Sequence, residues 1–235
     1  MEKTVVIHQP EYFPWLGFLD KARQADVLVF LDSVQFDRSS LQHRAKVLGP
    51  QGLTWLTIPF VHRFPQRIDE VEIADKRWST KHEKTLQACY GRAPGYKAVA
   101  PKLHAFFEGC TTSNKLLDAA IGSSMLLLDA FGVTPKTVLR SSAMDVTGDK
   151  GDLVLDICKK LGATRYLSGR TGATYLGEDM FTAVGMKLAV QRFELRPYAT
   201  RPLEEAQGGL SALDAWFLLG DAAKTYFDSS IGSTP

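Results

Sequence analysis

Residues 4–34 read TVVIHQPEYFPWLGFLDKARQADVLVFLDSV, and this stretch decides the fold class. It opens with a short run of β-branched residues at 4–8, continues with helical spacing of apolar residues at 16–25, and ends in the apolar run 26–34. The three pieces predict a β-α-β unit. The second strand is apolar at nearly every position, which is typical of a strand covered on both faces in a parallel sheet.

Two later segments repeat the alternation of helix and strand. Residues 151–169 predict a helix that stops at Gly162 and is followed by a strand, because glycine commonly ends a helix. Residues 180–193 predict a second such pair, with the helix ending at Gly185. We therefore predict an α/β protein with a Rossmann-like three-layer fold around a mostly parallel sheet.

The middle of the chain has a different character. Strands are predicted at 53–60 and around 71–74, and helices at 76–91 and 115–133. Asn114 is a candidate N-cap for the second of these helices, and His82 is expected on a solvated face of the first. We expect one α/β domain over residues 1–228, with a helical insertion at about 76–140 and a flexible tail at 229–235.

Composition argues against several classes of partner. The net charge of +2 arises from 28 basic and 26 acidic residues spread along the chain, so no nucleic acid partner is expected. The three cysteines lack CxxC spacing and the five histidines lack close ligand spacing, which predicts reduced thiols and no metal site. The start of the chain is unlike a signal peptide and no segment has the roughly 18 apolar residues of a membrane span, so we expect a cytoplasmic protein without a membrane partner.

Three polar loops should meet at one edge of a parallel sheet, because ligands bind beyond the carboxyl ends of the strands. In the first loop, His8 is a candidate acid or base, or a histidine that only hydrogen-bonds to a neighbouring loop. Gln9 could orient a ligand. Tyr12 and Trp15 offer flat surfaces for a sugar ring or a base, with a rigid aromatic plug as the alternative.

The second loop follows the strand that ends near Asp32. Asp32 is a candidate general base, or a group that holds a ribose hydroxyl or Mg²⁺, with a turn-capping aspartate as the alternative. Gln35 lies close behind it as a further polar candidate. Arg44 is a candidate for gripping a phosphate or carboxylate, with a salt bridge to Asp32 or Asp37 as the alternative.

The third loop, SGRTGATYL at 168–176, is rich in glycine and hydroxyl side chains. Backbone amides at Gly169 and Gly172, together with Ser168 and the cation of Arg170, could form an anion-binding nest. An ordinary glycine turn is the alternative. The loop lacks the Walker A pattern.

The order of these motifs resembles the WbqC-like family, which is found in gene clusters for bacterial O-antigen and other surface polysaccharides. The resemblance runs from about Val6 to about Gly220 and rests on IHQPEYFPWLGFLDKARQADVLVFLDSVQF, HRAKV, WLTIP, YLSG and GGLSALDAWFLLG. It implies biosynthesis near nucleotide-linked sugars. The positions that match the family motifs are His8, Gln9, Pro10, Gly17, Lys21, Asp32, Gln35, Arg44, Ser168, Gly169, Ser211 and Asp214.

Three of these positions, and one departure from the family pattern, need comment. Lys21 enters the predicted substrate-binding set through this resemblance. Ser33 stands where the family pattern suggests a second acidic residue, which weakens a paired-carboxylate metal site. Ser211 and Asp214 read as a capping box at the start of a helix, so their expected role is structural.

Three functional hypotheses follow. The first is an enzyme that transfers an acyl or aminoacyl group to the amine of a nucleotide-linked amino sugar or similar small amine. In it His8 takes the proton, Asp32 orients the reacting groups, and cations such as Arg170 hold phosphates or a carboxylate. The second is an ATP-dependent nucleotidyltransferase-like or amide-forming enzyme, and the third is a non-catalytic sugar-nucleotide binding protein. The sequence identifies no cofactor, and it leaves the use of ATP or Mg²⁺ and the oligomeric state open.

Overall fold

The computed structural model describes residues 2–174, 176–199, 201 and 209–228. Its main sheet has five parallel strands, namely β1 Thr4–His8, β2 Val27–Phe30, β5 Thr137–Arg140, β6 Arg165–Ser168 and β7 Lys187–Val190. They lie in the order β5-β2-β1-β6-β7. An antiparallel pair, β3 Arg44–Gly49 and β4 Gly52–Thr57, forms a separate two-stranded sheet.

Helices connect and cover these strands. They are α1 Leu16–Arg23, α2 Trp78–Tyr90, α3 Tyr96–Gly109, α4 Leu116–Ala130, α5 Lys150–Lys160, α6 Arg170–Ala173, α7 Glu178–Thr182 and α8 Ala212–Leu219. Both predicted glycine stops are confirmed. Gly162 has a φ of +61° and Gly185 a φ of +70°, a conformation that glycine adopts without the steric cost of a Cβ.

The main sheet has a hydrophobic layer on each face. On one face, Val6 and Leu28 pack in a cluster with α1 and α4, while on the other face Val5 and Val27 pack with α5 and α7. Because successive side chains of a strand point to opposite faces, a strand between two helical layers must be apolar throughout. All four residues of β2 are buried, and the predicted Rossmann-like three-layer α/β fold is confirmed.

The direction of chain progression reverses beside β1. From β1 the chain continues to β2 and then β5 on one side, and it later crosses to β6 and β7 on the other side. β1 pairs with β2 along four residues but with β6 only at Thr4 and Val5. The carboxyl halves of β1 and β6 therefore part, which opens a crevice at the place where α/β sheets bind ligands.

Two secondary-structure predictions for the middle of the chain are wrong. The stretch 71–74 makes isolated bridges, Phe60 with Ile73 and Glu72 with Lys115, and the missing N–H of Pro59 prevents a longer ladder. Asn114 does not cap α4, because its carbonyl oxygen accepts the amide of Ile73 at 2.7 Å and the helix begins at Leu116.

The bounds of the helical insertion also change. Helices α2 to α4 occupy 78–130, whereas 137–140 is the edge strand β5 and belongs to the main sheet. The single-domain assignment stays a prediction, and the predicted tail at 229–235 lies outside the described residues. None of the helices in the described ranges is both long enough and apolar enough to cross a membrane.

Candidate active site

A cavity of about 940 Å³ opens between the parted ends of β1 and β6. The loop after β1 forms one wall, the loop after β6 forms another, and the segment that follows β7 closes the side. Seven of the predicted site residues lie on these walls, namely His8, Gln9, Trp15, Lys21, Ser168, Gly169 and Arg170. The volume suits a small organic ligand.

His8 is the middle residue of a hydrogen-bonded chain of side chains, Lys21–His8–Glu11, on the cavity wall. Its Nδ1 lies 2.8 Å from Nζ of Lys21, and its Nε2 lies 3.0 Å from Oε1 of Glu11. An ammonium group can only donate, so Nδ1 accepts from Lys21 while Nε2–H donates to the Glu11 carboxylate. Both ring nitrogens of His8 thus have a partner, with Lys21 on one side and Glu11 on the other.

Burial lowers the pKa of both basic groups in this chain. Burial lowers the pKa of Lys21 to about 8, against the opposing effect of the Glu11 charge. Burial and the charge of Lys21 together lower the pKa of His8, while Glu11 acts to raise it. Because its pKa is lowered toward neutral pH, Lys21 reaches its uncharged form more readily than an exposed lysine, and in that form it can accept a proton in general acid-base catalysis.

Glu11 is a site residue that the sequence reasoning missed. Its Oε2 is enclosed, and no described residue donates a hydrogen bond to it. Its backbone carbonyl accepts Oγ–H of Ser124 at 2.8 Å, which anchors the loop to α4. One signal was available, because Glu11 is the single acidic residue in the otherwise aromatic and proline-rich segment 9–19.

Trp15 covers the start of α1. Its indole is 38% exposed and meets the ring of Phe193 edge-on, with the centroids 5.5 Å apart. The indole also lies over Gly17, where a Cβ would approach it to 2.2 Å. Gly17 is therefore needed because any side chain would displace the indole from the cavity wall.

Gln191 joins the two halves of the cavity and was also missed. Its side-chain nitrogen donates to the carbonyl of Gly17 at 2.8 Å and to Oδ2 of Asp20 at 2.7 Å. Its own amide donates to the carbonyl of Ser168 at 2.9 Å. Gln191 thus fixes the end of β7 against α1, and no local sequence pattern indicates this long-range role.

The loop after β6 differs from the predicted nest. Neither Gly169 nor Gly172 has a positive φ, and α6 begins directly after Gly169, so the left-handed conformation of an anion nest is absent at these positions. Ser168 is buried and donates to the carbonyl of Gly169 at 3.1 Å. Arg170 is exposed on the rim, and no described residue forms an ion pair with its guanidinium.

The second loop does not reach the cavity, which corrects the expectation that three loops share one cleft. Asp32 is fully buried and accepts hydrogen bonds from Nε of Arg140 at 2.7 Å and from the amide of Ser142 at 2.8 Å. The hydroxyls of Ser141 and Ser142 complete the set. These partners follow β5, on the far side of β2 from the β1–β6 crevice, and they hold Asp32 there.

Gln35 and Arg44 also lie away from the cavity walls. The side-chain amide of Gln35 donates to the carbonyl of Phe36 at 3.3 Å. Arg44 donates to the carbonyls of Ser39 and Ser40, and its guanidinium stacks 4.7 Å from the ring centroid of Trp55. The salt bridge to Asp32 or Asp37 that was the alternative for Arg44 is not formed among the described residues.

Tyr12 is a buried packing residue. Its hydroxyl donates to Nδ1 of His82 at 2.9 Å, because Nε2 of that histidine must donate to the carbonyl of Thr57 at 3.1 Å. His82 is therefore buried, and its placement on a solvated face is wrong. Gln9, by contrast, lies on the cavity wall, where its Oε1 accepts Nε2–H of Gln42 at 2.8 Å.

Asp214 does not form a capping box with Ser211. Ser211 caps α8 alone, with its Oγ accepting the amide of Leu213 at 3.1 Å. The Asp214 carboxylate is fully buried and accepts hydrogen bonds from Arg201 and from the hydroxyls of Tyr90 and Tyr198, at 2.9 Å and 3.0 Å for the two tyrosines. Tyr198 lines the cavity, so its hydrogen bond to the buried Asp214 holds this part of the cavity wall in place.

Comparison with known proteins gives two similarities across most of the chain. A model of the WbqC-like protein family matches residues 9–226. The uncharacterized protein Rv1507c of Mycobacterium tuberculosis is 26% identical over 231 residues, which span 95% of this chain and 97% of that protein. No solved structure matches. The family match includes Glu11 and Lys21 and begins one residue after His8.

Proposed function

The chain belongs to the WbqC-like protein family, and we propose that it is an enzyme that acylates a small amine in the cavity between β1 and β6. The group transferred is an acyl or aminoacyl group, and the acceptor is the amine of a nucleotide-linked amino sugar or a similar compound. The observation that carries the proposal is the Lys21–His8–Glu11 chain on the cavity wall. It supplies a proton acceptor where a ligand would sit.

The chemistry needs a group that removes a proton from the attacking amine. As the amine nitrogen bonds to the acyl carbon, it becomes positively charged and must lose a proton before the leaving group departs. Lys21 can accept this proton once it has passed its own to Nδ1 of His8, 2.8 Å away. The Glu11 carboxylate, 3.0 Å from Nε2, then stabilises the imidazolium. His8 thus acts through Lys21 rather than by direct contact with the amine.

Two features of the rim suit the nucleotide part of such a substrate. The guanidinium of Arg170 is exposed and has no ion-pair partner among the described residues, so it is available to a diphosphate. The indole of Trp15 presents a partly exposed flat face across the cavity, on which a base or sugar ring could stack. Binding at the rim would place the sugar amine toward Lys21.

The test combines a product assay with matched variants. The purified protein is incubated with UDP- or dTDP-linked amino sugars and either acetyl-CoA or an amino acid with ATP, and the acylated sugar nucleotide is sought by mass spectrometry. We expect Lys21→Met and His8→Asn to reduce the rate by at least about 100-fold. Lys97→Met, which removes an exposed lysine from α3, should leave the rate unchanged.

Two results would contradict the proposal. Full turnover in Lys21→Met would remove the proton-transfer role from the three-residue chain. Tight binding of the sugar nucleotides without product from any donor would instead identify a non-catalytic binding protein. Calorimetric titration with the same sugar nucleotides distinguishes that outcome from a wrong choice of substrate.

A further inference from the structure

Lys21 is placed as an enzyme nucleophile is placed. Lys21 lines the cavity, and the only hydrogen-bond partner of its amine among the described residues is Nδ1 of His8, at 2.8 Å. His8 is in turn oriented by the carboxylate of Glu11 on its other nitrogen, at 3.0 Å. A nucleophile within hydrogen-bond reach of a base, with a third group that orients the base, is the arrangement that activates a side chain for covalent catalysis.

The surroundings of Lys21 favour its uncharged, nucleophilic form. Only 3% of the residue is exposed, and it pairs with no carboxylate within the part of the chain that the structure describes. Phe18 packs against the ring of His8, with the centroids 4.9 Å apart, which keeps this part of the wall apolar. The Glu11 charge acts on Lys21 only from across His8, and burial outweighs it, so this amine loses its proton more readily than one in water.

The wall next to Lys21 also leaves room for an approaching group. The β6 loop places Gly169 beside the amine, where a Cβ would lie 3.6 Å from Nζ, in van der Waals contact. Because Gly169 carries no side chain, this space next to the amine is not filled by the residue at position 169. An alkyl group at that position would close it.

We propose that Lys21 attacks the carbonyl carbon of an aldehyde or ketone bound in the cavity and forms a covalent imine. This inference goes beyond acyl transfer and does not depend on it, because it concerns a different electrophile and a bond to the protein itself. The ligand class is a small carbonyl compound. His8 and Glu11 are positioning and proton-transfer groups for the attack.

The step balances without an oxidant, a reductant or a co-reactant. The Nζ lone pair of Lys21 forms the C–N bond while the carbonyl π electrons move to oxygen, and a proton passes from Nζ to Nδ1 of His8. The imidazolium returns this proton to the alkoxide, which becomes the hydroxyl of the neutral carbinolamine. As the C=N bond forms, the remaining Nζ proton passes by way of His8 to this hydroxyl, which leaves as water. Hydrolysis reverses the sequence and frees Lys21, whereas an acyl group on the same nitrogen would form a stable amide.

The experiment traps the imine. The full-length protein is treated with acetaldehyde at neutral pH in the presence of cyanoborohydride, and the labelled lysines are identified by peptide mass spectrometry over time. We expect Lys21 to be labelled at least about ten times faster than the exposed Lys97 of α3. Labelling of Lys21 at or below the rate of Lys97 would overturn the proposal.

Two variants test the roles of the partners. His8→Phe keeps a ring of similar size without the base, and it should slow labelling of Lys21 by about tenfold or more while labelling of Lys97 stays the same. Glu11→Gln should shift the pH profile of labelling to lower pH, because the Glu11 charge raises the pKa of Lys21. If Glu11→Gln leaves the pH profile unchanged and His8→Phe leaves the labelling rate of Lys21 unchanged, the roles given to His8 and Glu11 are contradicted. If His8→Phe does not fold, the comparison of Lys21 with Lys97 in the unsubstituted protein decides alone.

Failure of the two proposals can be told apart. Acyl transfer is judged by a modified sugar nucleotide, and imine formation is judged by a label on the protein. A labelled Lys21 in a protein that makes no acylated product supports the covalent site and contradicts acyl transfer.

Discussion

The indole of Trp15 lies directly over the Cα of Gly17, so close that a Cβ at position 17 would be 2.2 Å from the ring. The two residues are the N-cap position and a first-turn position of α1, the helix that carries Lys21. The absence of a side chain at Gly17 therefore lets the helix start and the cavity wall form in the same few residues.

Gly17→Ala should destabilise the protein by about 1–3 kcal/mol, because the indole has to move. In a Trp15→Ala background the same change should be neutral or slightly stabilising, since alanine is the better helix former by up to about 1 kcal/mol. Urea denaturation of the four proteins measures the coupling between the two sites. Equal costs of Gly17→Ala in both backgrounds would show that the indole contact is unimportant.

Lys21→Met should stabilise the protein at neutral pH, because the folded chain holds a buried charge there. The fall of the Lys21 pKa from 10.5 to about 8 corresponds to a cost of about 3 kcal/mol at pH values below both. Between about pH 8 and 10.5 the unfolded chain binds more protons than the folded one, so the stability of the unsubstituted protein rises with pH in this window. The extra stability of Lys21→Met over the unsubstituted protein should therefore decrease as the pH rises through this window.

Denaturation midpoints measured from about pH 7 to about pH 10 check this difference, with Lys97→Met as the matched exposed control. The control should follow the unsubstituted protein at every pH. The expectation is contradicted if Lys21→Met is less stable than the unsubstituted protein at neutral pH and both proteins show the same dependence on pH. In that case the folded protein does not bury a charged lysine at position 21.

Asp32→Asn should cost stability rather than remove chemistry in the cavity. Burial acts to raise the pKa of the Asp32 carboxyl, but hydrogen bonds from Ser142, Arg140 and Ser141 outweigh it and lower that pKa. A lowered folded-state pKa means that the stabilisation is present above the ordinary value of 3.8 and is lost as the pH falls through the folded-state value. We expect a loss of about 2 kcal/mol at neutral pH.

The control for this change is Asp145→Asn, which neutralises an exposed carboxylate and should have almost no effect. The stability gap between Asp32→Asn and the unsubstituted protein should narrow in acid. Imine trapping at Lys21 should proceed normally in folded Asp32→Asn protein. Loss of trapping with unchanged stability would return Asp32 to the catalytic role that its position after β2 suggests.

Local sequence patterns were sufficient to predict the strands and helix ends that frame the site. The β-branched run of β1, the apolar run of β2 and the glycine at 162 each carry their structural reason within a few residues. The same holds for the place of His8, because a parallel strand ends toward the ligand edge of its sheet. Glu11 could have been suspected as a charge in an apolar segment, but its contact with His8 depends on how the loop closes.

The sequence by itself determined the α/β class, the strands that meet near the cavity and the place of the first loop at the ligand edge of the sheet, because hydrophobic periodicity and glycine stops act over short distances. Tertiary structure alone decided which polar residues face that cavity. Asp32 finds its partners 108 to 110 positions away at 140–142, and Gln191 reaches back across 174 positions to Gly17. Such contacts depend on strand order and on where neighbouring strands part, and no short segment encodes either.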